Sequence, residues 1–264
     1  MILDGEWQIR KFKRGSDQPF AVEKVGSNTV VVGGIHRIID LMLGLSSNRF
    51  NSNSILRIYS SAGASTPIRT LSGVVEGPIH ILIANGGEFR ITWGDDSLQS
   101  YTPANLRPFF PDGSTQLSTT NISQGTKLST ETWLFDYTFR LRRTVGGTFP
   151  DEGLDLVLRL MTGNQTIGFQ AGNLELEVRD STTFSCTGGT FLGTWNSNAV
   201  ERDGTNAVIL FEVAEGNLTG NWQCAVIRHN VYNIEFFRGP IQSPGNKLSS
   251  QIFRYFFRVL FTNA

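Results

Sequence analysis

The sequence predicts an all-β protein made of two tandem, duplicated β-sandwich-like domains, each introduced by one short amphipathic helix. The length of 264 residues is comfortable for two domains of roughly 100 to 150 residues each. Charged residues make up 17% of the chain, and 28 glycines accompany abundant Ser, Thr and Asn, a composition typical of loop-rich β proteins. The third observation is an internal repeat, in which the same motifs occur twice in the same order.

The first repeated motif is a helix. Apolar residues at i, i+3, i+4 and i+7 form one helical stripe that a glycine ends, and the pattern recurs 119 residues later (153 minus 34). The two stripes with their final glycines are Ile35, Ile38, Ile39, Met42 and Gly44, then Leu154, Val157, Leu158, Met161 and Gly163. We expect each stripe to pack on a sheet, because an exposed apolar stripe of this size is rare in soluble proteins.

A strand follows each helix, at residues 53–61 and 173–181, where apolar and polar residues alternate. The third motif is Gly-Gly-x-Phe-x-x-x-Trp, which ends at Trp93 in the first copy and at Trp195 in the second. Its offset of 102 residues (195 minus 93) predicts that the second copy has lost a loop or hairpin equivalent to part of residues 62–83.

The fourth motif joins Gly-x-Lys-Leu-Ser, which contains Lys127 or Lys247, to Phe-x-Tyr-x-Phe-Arg. Its aromatic residues are Phe135, Tyr137 and Phe139, then Phe253, Tyr255 and Phe257. Alternate residues of a strand share a face, so we expect a closing strand whose aromatic residues face the core. The repeat predicts domains at residues 28–147 and 148–264, and it leaves residues 1–27 outside both copies.

Residues 1–27 are expected to form an N-terminal arm or an edge strand. The segment places apolar residues between basic ones, and its candidate assembly contacts are Trp7, Ile9, Arg10, Lys11, Phe12, Lys13 and Arg14. A strand edge without a neighbour invites pairing with another chain. We predict that this arm docks on a neighbouring subunit or another protein; the alternative is that it folds back on the first domain as an additional edge strand.

The balance of charges bears on the partners of the chain. Lys and Arg together number 23, as do Asp and Glu, so no global field exists that would hold nucleic acid or an anionic membrane. We therefore expect neither a specific nucleic-acid partner nor a membrane partner. No apolar run reaches the length of a membrane-spanning helix, and the first residues lack a signal-peptide pattern, which predicts synthesis in the cytoplasm.

The sequence contains no catalytic or cofactor-binding motif of the GxSxG, HExxH, Walker A or GxGxxG type. The nearest candidates for paired carboxylates are Asp95-Asp96 and Asp151-Glu152, which are more simply a turn and the charged start of a helix. Cys186 and Cys224 lie 38 residues apart without a CxxC motif, so we expect two reduced, buried side chains. We predict no catalytic residue, no cofactor and no metal, and a chain that is not an enzyme.

An Asn-x-Val-x-x-Gly strand and turn at residues 28–33 leads into the helix that ends at Gly44, and a strand with a small-residue turn to Pro67 follows. This segment resembles a pattern in tail, fibre and other virion proteins of tailed bacteriophages. The resemblance implies a structural β-sandwich module without enzymatic residues.

We therefore expect a structural component of a tailed-phage virion, made in the host cytoplasm, that contacts other virion proteins and forms a homo-oligomer. Neck, tail, baseplate and fibre-adaptor positions come first, and a capsid decoration or cement protein is the alternative within this class. The excess of 18 Arg over 5 Lys favours buried contacts between proteins. The alternative from another class is a carbohydrate- or receptor-binding module, in which Trp93, Trp195 and Trp222 would stack on sugar rings.

Overall fold

In a computed structural model, strands dominate the protein, and the all-β class is confirmed. The structure describes residues 1–25, 28–51, 53–71, 80–83, 86–95, 99–143, 149–163, 165–183, 185–214 and 220–263. These ranges contain 17 strands and two short helices. The helices are α1 (Val32–Met42) and α2 (Asp151–Thr162). The strands are β1 (Ile2–Lys13), β2 (Ala21–Val25), β3 (Thr29–Val30), β4 (Ile55–Tyr59), β5 (Arg69–Leu71), β6 (His80–Ile83), β7 (Gly86–Trp93), β8 (Asn105–Phe109), β9 (Ser118–Asn121), β10 (Glu131–Arg142), β11 (Leu174–Arg179), β12 (Phe191–Asp203), β13 (Asn206–Val213), β14 (Gly220–His229), β15 (Ile234–Lys247), β16 (Phe253–Leu260) and β17 (Thr262–Asn263).

The chain divides into two compact units. The N-terminal unit comprises Ile2–Arg37, Asn48–Leu141 and Thr262–Ala264, and the C-terminal unit comprises Met1, Ile38–Ser47 and Arg142–Phe261. This division differs from the expected domains at two places. Residues 2–27 belong to the N-terminal unit because β1 pairs within its sheet, and residues 38–47 group with the C-terminal unit, where the amide of Phe169 donates to the carbonyl of Met42 at 2.6 Å.

Two sheets form the N-terminal unit. One has the strand order β17-β1-β10-β7-β6, with β2 also paired to β1, and the other has the order β3-β9-β8-β4-β5. In β4, Leu56 and Ile58 are fully buried, which confirms the half-buried strand that the alternation predicts. Phe135 and Tyr137 of β10 are also fully buried, whereas the side chain of Phe139 lies outside the described residues.

One six-stranded sheet of order β15-β14-β11-β12-β13-β16 forms the C-terminal unit. Its two end strands face each other, because the rings of Phe236 and Phe237 on β15 lie 6.1 and 4.8 Å from the ring of Phe257 on β16. The sheet therefore curls over one aromatic core. Phe253 and Tyr255 of β16 point to the same side as Phe257 but are only half-buried.

Both apolar helix stripes are buried, as expected, and both helices are followed by a glycine in the left-handed conformation. Each helix also begins with a glycine that permits unusually close packing. A Cβ on Gly34 would overlap the carbonyl oxygen of Leu117, and a Cβ on Gly153 would lie 2.8 Å from that of Phe236. The two glycines and the two residues they touch are related by the same offset of 119 residues (153 minus 34, 236 minus 117).

The third sequence motif is placed differently in the two halves. Trp93 lies on β7, which pairs with β10, but Trp195 lies on β12, which pairs with β11 and β13. The strand that pairs with β16 is β13, where Phe211 lies opposite Tyr255 as Phe89 lies opposite Tyr137. The offset between these phenylalanines is 122 residues (211 minus 89), so this pairing does not support the expected loss of a loop or hairpin.

Cys186 and Cys224 form a disulfide, with 5.7 Å between their Cα atoms. Both side chains are buried, as expected, but they are not reduced. The loop between β11 and β12 carries Cys186 over the middle of β14, a proximity between distant segments that sequence spacing does not encode. The disulfide therefore ties this loop to the sheet.

Candidate assembly surface

The N-terminal segment forms an internal strand, β1, flanked by β10 on one side and by β2 and β17 on the other. Trp7 and Ile9 are fully buried, and Lys11 is buried as well. These three residues belong to the core of the chain, which corrects their assignment as assembly contacts. The segment folds back on the chain itself because alternate positions of β1 are apolar and meet the aromatic face of β10.

The polar residues of β1 are bound within the N-terminal unit. The ammonium group of Lys11 donates to the carboxylate of Glu23 at 2.8 Å and lies 4.4 Å above the Trp133 ring. Arg10 donates to Asp136 through Nε at 3.0 Å and Nη2 at 2.7 Å. Arg14 is exposed and pairs with Asp95 at 2.6 Å.

Phe12 and Lys13 line a shallow cavity of about 470 Å³ beside the turn that joins β1 to β2. Thr92 and Leu134 form the opposite wall of this cavity. Phe12 is half-buried and Lys13 is exposed, so a contact through these residues and Arg14 stays a prediction.

The two candidate carboxylate pairs, Asp95-Asp96 and Asp151-Glu152, each contain an aspartate that forms an ion pair with an arginine. Asp95 pairs with Arg14, and Asp151 pairs with Arg143, while Asp96 lies outside the described residues. Across the described ranges, no three His, Cys, Asp or Glu side chains lie together in a way that could hold a metal ion.

A cluster of ion pairs joins β11, β14 and β15 of the C-terminal sheet. Arg238 donates to both carboxylate oxygens of Glu235, and Arg179 pairs with Glu177 at 2.5 Å. Arg228 lies between the two carboxylates, 3.9 Å from each. The hydrogen bonds that Arg238 donates to Glu235, together with the negative charges of Glu235 and the nearby Glu177, raise the pKa of Arg238. The cluster borders a cavity of about 250 Å³ whose wall includes Cys186, and Arg238 donates to the carbonyl of Ser185 in the same loop at 3.2 Å.

The tryptophans lie mostly in the core. Trp93 and Trp222 are buried, whereas Trp195 is half-buried and stacks on Trp222 with 5.1 Å between ring centroids. Trp93 contacts the rings of Trp133 and Phe135. Two of the three residues proposed to stack on sugars are thus inaccessible.

The accessible feature that sequence reasoning missed is the strand β16. In the described part of the chain it pairs only with β13, so its other edge is open. Two large apolar side chains on its outward face are exposed, Phe256 by 54% and Leu260 by 50%. Arg258 lies between them, is also exposed, and makes no ion pair with a described residue. An open strand edge with apolar side chains is a typical site of pairing with another chain.

A sequence signal for this surface exists. In β10 the positions between the aromatic residues are Asp136, Thr138 and Arg140, which alternate as a strand with one polar face does. In β16 the corresponding positions are Arg254, Phe256 and Arg258, and Leu260 follows, so the outer face presents two large apolar side chains among arginines. Large apolar side chains on an outer face indicate that something covers them.

Burial raises the pKa of the Tyr255 hydroxyl to about 12. Tyr255 lies beside the open edge but faces the core, so the phenol stays neutral at physiological pH. The open edge carries the guanidinium groups of Arg254 and Arg258.

Comparison with family models, with curated proteins and with solved structures finds no match to this chain. No helix within the described ranges has both the length and the apolar character needed to cross a membrane. The function is therefore argued from the geometry of the chain.

Proposed function

We propose that the chain is a structural component of a tailed-phage virion and acts through contacts with other virion proteins. The observation that carries this proposal is the open edge of β16, with Phe256 and Leu260 exposed on a strand that ends a curled sheet. An assembly role explains why an apolar strand is presented to solvent. The resemblance of residues 28–67 to phage virion proteins supports the class of particle. We propose a neck, tail, baseplate or fibre-adaptor position and a homo-oligomeric state.

The exposed residues of the chain also bear on the two alternative functions. A capsid decoration or cement protein would also use an open strand edge, so it stays the alternative within the class. A carbohydrate-binding module needs exposed aromatic rings, and of the three candidate tryptophans only Trp195 is accessible, in part. We therefore favour assembly over glycan binding, and we propose that the chain acts without catalysis.

We propose further that the two halves arose by duplication and form two β-sandwich-like modules. The strand order β9-β8-β4-β5 parallels the order β15-β14-β11-β12, and β7-β10 parallels β13-β16. Registers agree as well: Leu56 lies opposite Pro108, and Leu176 lies opposite Ile227. The close approaches of Gly34 and Gly153 support the same equivalence.

Two buried lysines add a local repeat. Lys127 and Lys247 both donate to the carbonyl of the following leucine, at 3.3 and 3.2 Å. In both copies the amide of that leucine donates to the side chain three residues later, Glu131 or Gln251. A buried ammonium group that serves the same turn twice supports common descent of the two modules.

The disulfide is compatible with the proposed location. A virion is assembled in a reducing cytoplasm and persists in an oxidising medium after release, where disulfides are stable. The Cys186–Cys224 bond would then stabilise the particle form of the chain.

The proposal is tested on particles. Deleting the coding sequence from the genome that carries it should give lysates with incomplete particles in negative-stain electron microscopy, and supplying the chain in trans should restore them. Mass spectrometry of gradient-purified virions should find the chain in constant stoichiometry. Normal particles in the deletion lysate, together with absence of the chain from wild-type virions, would overturn the proposal.

A further inference from the structure

Resting on the proposed assembly function, we infer that the open edge of β16 binds an extended acidic strand of another protein, which takes the place that β1 takes beside β10. The two strands occupy equivalent positions. β10 pairs with β7 and β16 pairs with β13, and the aromatic residues of both strands lie at matching registers. The N-terminal unit therefore shows what covers this edge when it is filled.

In the part of the chain that the structure describes, the core-facing aromatic residues of β16 lack a cover that those of β10 have. Trp7 of β1 stacks on Tyr137 with 4.6 Å between centroids and meets the edge of Phe135 at 6.3 Å. Phe135 and Tyr137 are fully buried, whereas the equivalent Phe253 and Tyr255 are only half-buried. A partner strand with a large apolar side chain at the position of Trp7 would complete this burial.

The charged residues on the outward faces of β10 and β16 indicate the charge of the partner strand. On the outward face of β10, Asp136 pairs with Arg90 of β7, and Arg10 of β1 binds the same carboxylate. On β16 the charges are exchanged, because Arg254 pairs with Glu212 of β13 at 2.8 Å. A strand that repeats the role of Arg10 beside β16 must therefore carry an acidic residue. The β1 strand of a second copy does not fit, because it would bring Arg10 against Arg254 and its Trp7 is already buried.

The open edge of β16 is long enough to bind a strand. The N-terminal amino group of Met1 donates to the carbonyl of Leu260, which closes one end of the edge. Residues 253–259 stay available, a stretch of about 24 Å at the usual rise of a strand. Main-chain hydrogen bonds over this length would supply affinity, and alternate side chains would supply selectivity.

The experiment uses two peptides with the sequence of residues 2–13, one unchanged and one carrying Arg10→Glu, each with a fluorescent label. They are titrated with the full chain, and binding is followed by fluorescence anisotropy. We expect the Arg10→Glu peptide to bind at least tenfold more tightly than the unchanged peptide. A third peptide with Arg10→Glu and Trp7→Ala should lose most of this binding, because it cannot cover Phe253 and Tyr255.

Variants of the full chain locate the site. Arg254→Glu should reverse the order of the two peptides, and Arg254→Gln should remove the preference if the glutamate variant does not fold. Arg140→Glu, on the covered strand β10, is the matched control and should leave both affinities unchanged.

Equal binding of the two peptides, binding of neither, or a preference that survives Arg254→Gln would overturn the inference. A dimer of the chain alone, seen by light scattering and lost in Arg254→Glu, would show that a second copy covers the edge, which also overturns it. None of these outcomes depends on the presence of the chain in virions, so the proposed function can fail or stand separately.

Discussion

β10 and β16 carry the same Phe-x-Tyr-x-Phe-Arg pattern, yet one is an internal strand and the other ends its sheet. The difference comes from β1, which lies outside the repeated part of the sequence and covers only β10. The comparison teaches that a core-facing aromatic pattern specifies which side of a strand is buried. It does not specify whether the strand has one neighbour or two.

The residues on the outward faces of β10 and β16 differ, as the neighbours of the two strands do. β10 presents Thr138 and Arg140, whereas β16 presents Phe256 and Arg258 at the equivalent positions. The ion pair to the adjacent strand is retained with its charges exchanged, as Arg90 with Asp136 and Glu212 with Arg254. The residues that contact the next strand thus differ between β10 and β16, while the three aromatic residues of the pattern are the same.

The largest expected effect is the loss of the strand that distinguishes the two units. Deleting residues 2–14 should unfold the N-terminal unit, because it removes Trp7 and Ile9 from the core and exposes Phe135 and Tyr137. Trp7→Ala alone should cost about 3 to 5 kcal/mol. Hydrogen exchange should show loss of protection in β7 and β10, with protection retained in β13 and β14.

Phe256→Ala is the control for this prediction. Its side chain is also a large aromatic one but points outward from β16, so the free energy of unfolding should change by about 0.5 kcal/mol or less. If the deletion leaves β10 protected, β1 is not part of the core and the comparison between the two strands fails.

The second effect concerns the disulfide, which in the described residues is found in the C-terminal unit. Replacing Cys186 and Cys224 together by serine should destabilise that unit by about 3 to 4 kcal/mol, since the bond closes a loop of 38 residues. Chemical denaturation followed by fluorescence should show the change. A reducing agent should shift the wild type in the same direction and leave the double variant unchanged; an unshifted wild type would contradict a stabilising bond.

The third effect tests the equivalence of the two helices. Gly34→Ala and Gly153→Ala should each cost about 1 to 3 kcal/mol, because the added methyl group meets backbone atoms of Leu117 or Phe236. The cost should be greater for Gly34, whose contact is closer. Circular dichroism during thermal unfolding measures both changes.

Gly33→Ala is the matched control in the same helix turn. A Cβ at Gly33 would meet nothing within 4 Å, so alanine should be neutral or stabilise by up to about 1 kcal/mol through helix propensity. Equal effects at positions 33 and 34 would show that the close approach does not exist in solution.

Sequence reasoning finds local features well because they depend on neighbouring residues. The stripes of α1 and α2, their final glycines and the buried strand β4 all follow from periodicity. Pairing between distant strands does not, which is why Trp195 was matched to Trp93 and the disulfide between Cys186 and Cys224 was not expected. The strand β1 is a further example. Its apolar residues are evident in the sequence, but the sequence does not show that β10 buries them.

The smallest expected effect is a pH dependence that only one unit should show. Burial against Phe169 and Tyr232 lowers the pKa of His229 below its usual 6.5, despite contacts with backbone carbonyls that act in the opposite direction. Below about pH 6.5 the unfolded chain binds this proton more readily than the folded chain. Through His229, the free energy of unfolding should therefore fall below this pH, by at most about 1.4 kcal/mol per pH unit.

The N-terminal unit supplies the control for His229. Its equivalent ring pair is Phe50 with Phe110, 5.6 Å apart, while Phe169 and His229 are 5.4 Å apart. His229→Phe should recreate an aromatic pair that does not titrate and flatten the profile between pH 5.5 and 7, measured by urea unfolding at each pH. The absolute stability can fall because the contact of Nε2 with the carbonyl of Gly168 at 3.2 Å is lost, but the slope is the diagnostic quantity. A slope that persists in the variant would assign the proton to another group and remove this difference between the two units.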